Sequence, residues 1–93
     1  MLTYYALNYG SRTTVTQTWG LNAALAASAA RYDAHVADGF AAFRAATSRV
    51  QGNACAAGLL IKPTSGGCNE HVSALGQRVL AAAVERAAGI PLR

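Results

Sequence analysis

The chain has 93 residues, 53% of them hydrophobic and only 13% charged, with a net charge of +4. That length suits one small domain and not two. The composition excludes disorder of the charged, weakly hydrophobic kind, and no window of about 18 residues is both apolar and uncharged, so no membrane span is expected.

The longest apolar run, Leu21–Ala30, is followed at once by Arg31. The basic residues do not form a nucleic-acid-binding pattern. All eight are dispersed between Arg12 and Arg93, none adjacent to another, and only Lys62 is Lys. A phosphate-reading surface needs them clustered. Dispersed Arg in a chain that is roughly a quarter Ala reads as the composition of a GC-rich coding sequence. No nucleic-acid partner is expected.

In chain order, Leu2–Leu7 is β-branched and aromatic and ends at Asn8-Tyr9-Gly10, which predicts a strand. It has no clear polar face, as in a strand buried on both sides in a parallel sheet. Ser11–Thr18, with four Thr, reads as a loop. A helix follows, from Trp19 or Leu21 to Tyr32, capped by Thr16 or Thr18, with Leu21, Leu25, Ser28 and Tyr32 on one stripe and Ala24 and Ala29 beside it. His35–Asp38 is a short second strand, broken by Gly39. Phe40, Phe43, Thr47 and Val50 step by three and four, giving a second helix that ends by Gly52. Residues 53–67 read as loop. Ser73 can cap the last helix, where Leu75, Val79, Leu80, Ala83, Val84 and Ala87 line one face and Gln77, Arg78, Glu85 and Arg86 the other, and which Gly89 and Pro91 close.

The order strand-helix-strand-helix-loop-helix implies an α/β fold with right-handed crossovers and a parallel sheet. Two strands are too few for such a sheet. The chain therefore reads as about the last third of a larger α/β domain. Cys55 and Cys68 lie thirteen positions apart. A disulfide there closes a loop for which chain entropy gives about 3 kcal/mol, and implies an oxidising compartment. Two free buried thiols are the alternative. Without a CxxC pair, and with two distant His, a zinc site is not expected, nor is any cofactor. Met1 leads directly into strand-like sequence, so a secretion leader is expected upstream of this chain.

His71 is the residue best placed for chemistry, because it sits in a loop feeding a helix and imidazole suits general-base work. Asn69 could orient the ring through its amide oxygen. Glu70 could do so through its carboxylate, although sequence neighbours usually point apart. His35 reads as a strand-edge residue and Asp38 as a helix cap or ligand-edge carboxylate. Ser11, Ser65 and Ser73 lack a nucleophile setting. Gly66-Gly67 reads as a turn, and Tyr4 and Tyr5 as core.

The run Gly67-Cys68-Asn69-Glu70-His71-Val72-Ser73-Ala74-Leu75-Gly76 resembles the C-terminal block of SGNH (GDSL-type) hydrolases. That block typically reads Asp-x-x-His-Pro-(Ser/Thr), then a small residue, an apolar one and Gly. Secreted actinobacterial members are especially similar, with a Cys before the His paired to a Cys in an Asn-Ala-Cys-like loop; Asn53-Ala54-Cys55 stands in that place here. Residues 1–5 look like the family's late core strand, and 22–38 like its penultimate helix and strand. The resemblance implies part of a three-layer α/β/α, flavodoxin-like fold and ester hydrolysis of a small-molecule ester or lipid. It makes His71 the general base of a Ser-His-Asp triad or Ser-His dyad, and pairs Cys55 with Cys68. The family's Ser, Gly and Asn blocks have no counterpart in this chain. Two positions depart from the pattern: Cys68 and Asn69 stand where the orienting Asp is expected, and Val72 replaces the Pro. The isolated chain is therefore expected to be inactive. The competing expectation is a small secreted, disulfide-stapled binding domain without catalysis.

Overall fold

The computed structural model describes residues 1–89; the Pro91 end signal lies outside them. Helix α1 spans Arg12–Arg31, α2 Gly39–Ala46 and α3 Ala74–Ala88, with one turn of 3-10 helix at Ser48–Val50. No described helix is long and apolar enough to cross a membrane.

The start of α1 differs from the expectation of a loop over 11–18. Ser11 is the cap, its Oγ accepting from the Thr14 N–H at 3.3 Å. A turn fixes Ser11 in place, with Ser11 N–H donating to Asn8 C=O and Gly10 N–H to Asn8 Oδ1. Thr is only a mildly poor helix former. The Thr18 hydroxyl finds a partner inside the helix, donating to Thr14 C=O at 2.8 Å. A good cap therefore outweighs four weak propensities.

The other boundaries follow their caps. Asp38 Oδ1 accepts from Ala41 N–H at 2.9 Å and opens α2. Expected to run on to Val50, α2 stops at Ala46. There the fully buried Thr47 turns its N–H and Oγ1 back onto the Phe43 and Arg44 carbonyls, and its own C=O takes the N–H groups of Val50 and Gly52. Ser73 caps α3 and Gly89, at φ +74°, ends it.

The two expected strands are reduced to one parallel bridge, Leu2 to Ala37, with antiparallel bridges at Asn8–Asn53 and Leu60–Val72. The ladder cannot lengthen, because Asp38 already caps α2 and the first segment turns to pair with residues 52–54 through Ala54 N–H to Leu7 C=O and Tyr9 N–H to Gly52 C=O. Gly52 sits at φ +83°, where a Cβ would strike Tyr9; glycine alone fits there. The result is a small mixed domain of three helices with little β-structure. Leu2–Leu7 is not buried on both sides: Thr3 and Ala6 face inward, while Tyr4 is 56% exposed and Leu7 also faces water.

The core lies between α2, α3 and the loop that joins them. Phe43, Ala54, Leu59 and Leu60 are buried together, with Tyr5, Tyr9, Val72, Val79 and Leu80 packed around them. Tyr5 stacks on Phe43 with ring centroids 4.4 Å apart. Tyr9 meets Phe40 edge-on at 5.0 Å, and the Arg44 guanidinium lies over both of those rings. Burial pushes the Tyr9 phenol up to about 12; its OH donates to Phe40 C=O and accepts from Ala6 N–H.

Helix α1 packs on no other helix among the described residues. Its buried positions are Asn22 and, from beside the expected stripe, Ala29; on the stripe itself Leu21 is 48% and Tyr32 77% exposed. On α3, Leu75 and Val84 are likewise exposed. The radius of gyration, 13.5 Å, exceeds the roughly 12 Å of a compact domain of this length.

Candidate functional site

His71 is held by two facing runs of chain, 58–61 and 69–73. Leu60 and Val72 form an antiparallel bridge, Asn69 N–H donates to Ile61 C=O at 3.0 Å, and Ser73 N–H to Leu59 C=O at 2.9 Å. The Cys55–Cys68 disulfide ties the run that carries His71 to the segment before Leu59, with Cα atoms 5.7 Å apart. The cysteines are paired, as the loop spacing allowed.

Ser73 joins these runs to α3. Its Oγ accepts from Gly76 N–H at 3.1 Å and donates to Gly58 C=O at 2.6 Å. Gly76 is buried in the first turn of α3, and a Cβ there would collide with the Leu59 carbonyl. Glycine thus lets the helix start lie directly on the loop.

Both backbone polar groups of His71 are occupied. Its N–H donates to Asn69 Oδ1 at 2.9 Å and its C=O accepts from Ile61 N–H at 2.9 Å. The ring is free: the side chain is 70% exposed. The structure brings Glu70 beside it, with Oε1 3.7 Å from His71 Nδ1, an ion-pair separation longer than a hydrogen bond. Asn69 takes a different place from the one its amide suggested, since its oxygen holds the His71 backbone. His35, Asp38 and Ser11 are not gathered at this loop: Ser11 and Asp38 cap α1 and α2, and the His35 carbonyl holds the Met1 amino group. Ser65 is on the loop, at its exposed tip.

Tyr5 is a supporting residue that the sequence did not reveal. Its OH donates to Glu70 C=O at 2.7 Å while its ring packs on Phe43. Burial, then Tyr4 and Glu70, raise its phenol above the usual tyrosine value. Sixty-five positions separate Tyr5 and Glu70, so no local pattern could link them.

Two grooves lie elsewhere. One of about 340 Å³ runs between α1 and the start of α2, beside Trp19, Asn22, Ala26, Val36 and Phe40. Another, of about 420 Å³, lies between α2 and α3, beside Asp38, Ala42, Ala83 and Arg86. Neither is lined by His71 or Glu70. Among the described residues, no three His, Cys, Asp or Glu side chains are close enough to share a metal ion. The arrangement offers one accessible imidazole on a braced backbone, with a carboxylate near one ring nitrogen and the other nitrogen open. Compared with known proteins, the chain matches no family model, no curated protein and no solved structure.

Proposed function

We propose that this chain carries the general base of a serine ester hydrolase centre of the SGNH type, with His71 as the base. The observation that supports this reading best is the bracing of His71: both backbone groups are bonded and the ring stays accessible. A base must reach its nucleophile without reorganising the backbone, and this loop meets that need. Glu70, 3.7 Å from Nδ1, is the orienting carboxylate in place of the family's Asp. The open ring nitrogen then takes the proton of a serine hydroxyl supplied by polypeptide outside these 93 residues, and returns it to the leaving alkoxide. In this reading the chain forms part of a three-layer α/β/α domain, and the remainder covers α1 and the first segment. The disulfide suits secretion into an oxidising compartment.

The test joins the chain to the polypeptide encoded immediately before Met1 and measures p-nitrophenyl acetate turnover at neutral pH. The reading expects a Gly-Asp-Ser block there, and turnover that falls at least ~10³-fold in His71→Ala. The lone chain should stay at background. Absence of that block, or turnover indifferent to His71→Ala, overturns the reading.

A secreted binding domain without catalysis is the second reading. It draws on the large apolar side chains left exposed among the described residues, Trp19 and Tyr32 among them. It expects partner capture with no turnover in any context.

A further inference from the structure

The hydrogen bonds of the first segment alternate between two sides. On one side, Met1 C=O and Thr3 N–H pair with Ala37, and Leu7 C=O and Tyr9 N–H pair with residues 52–54. On the other side, no stretch of backbone among the described residues is bonded to it. Instead, the Asn22 side chain reaches down from α1: its Oδ1 accepts from Tyr4 N–H at 2.7 Å and its Nδ2 donates to Tyr4 C=O at 2.8 Å. One acceptor and one donor facing a single residue are what one residue of an adjoining antiparallel strand would offer. Asn22 is only 9% exposed. Along the same side, Leu2 N–H and C=O and Ala6 C=O have no partner among the described residues, and a groove of about 290 Å³ follows residues Leu2 to Tyr5.

We propose that this edge is a strand-acceptor site, held shut by the Asn22 carboxamide against a second copy of this chain. The case for a second copy lies in the segment itself. No side chain from Met1 to Gly10 is charged and none is Pro, so the usual devices that protect a sheet edge are missing. The segment is rich in strand-forming residues, and antiparallel pairing with itself sets Leu2, Tyr4 and Leu7 opposite apolar partners without any like-charge contact. Tyr4 and Leu7 already face water. Asn22 thus replaces the missing gatekeeper from another element. This site is separate from His71 and is a property of these 93 residues on their own; in the hydrolase reading the rest of that domain covers the same edge.

The test is sedimentation velocity on the full chain, with circular dichroism to follow helix content. The wild-type chain should sediment as a monomer. Asn22→Ala should double the mass, and adding Tyr4→Lys, which sets like charges face to face at the centre of the pairing, should restore the monomer. Asn22→Asp, which keeps the acceptor for Tyr4 N–H and gives up the donor, should associate more weakly than Asn22→Ala. A helical, monomeric chain in both Asn22 variants overturns the proposal. Association that survives Tyr4→Lys overturns it as well. Loss of the α1 helix signal in both variants does so too, for Asn22 would then be an anchor and nothing more.

Discussion

The two halves of this molecule are built to different standards. The half made of α2, α3 and the loop from Asn53 to Ser73 is stapled, stacked and bonded: Phe43 and Leu59 are 0% and 2% exposed, and a disulfide crosses the loop. The half made of α1 meets the rest through the Asn22–Tyr4 pair and the buried Ala29, and leaves Trp19 65% exposed. Among the described residues, five of the nine buried hydrophobic ones are Ala, so the four large ones carry most of the apolar burial. Helix propensity suffices to form a helix as Ala-rich as α1; only side chains with area can fasten one to a core.

That contrast can be broken from either side. Phe43→Ala should have the largest effect, about 3–5 kcal/mol of stability. It removes both the stack with Tyr5 and the contact with Leu59, and urea titration followed by circular dichroism should show it as a collapse of the transition midpoint. Replacing both cysteines by Ser should cost about 3 kcal/mol, from a loop of this size, read as a fall in melting temperature relative to the oxidised chain. At the other end, Leu21→Ala should change stability by about 0.5 kcal/mol or less, because Leu21 is 48% exposed. A loss there as large as that of Phe43→Ala would mean that α1 is fastened as firmly as α2.

What could be read from the sequence follows the same division. The caps Asp38, Ser73 and Gly89 were legible because each acts within three or four residues of itself. The Phe40, Phe43 and Thr47 spacing was legible because those side chains are buried, and the cysteine pair because a loop of thirteen closes readily. The stripe on α1 misled: Leu21 and Tyr32 repeat at helical spacing, but nothing among the described residues covers them. The strands were over-read, since β-rich composition in Leu2–Leu7 promises a ladder that only neighbouring strands can complete. At the candidate site, the motif and the position before α3 single out His71 as the residue to consider. The bracing by Tyr5 and Ile61 was not legible, because it joins residues brought together only by the fold.

The tip of the loop, residues 62–67, lies beyond everything that braces His71. All six residues are exposed, and a single turn bond, Gly66 N–H to Pro63 C=O, shapes them. The disulfide and the Ile61 bonds to Asn69 and His71 close the loop below that tip. The hairpin end can therefore lengthen, shorten or carry a grafted epitope while the imidazole stays where it is, which makes this the natural point for length variation in the molecule.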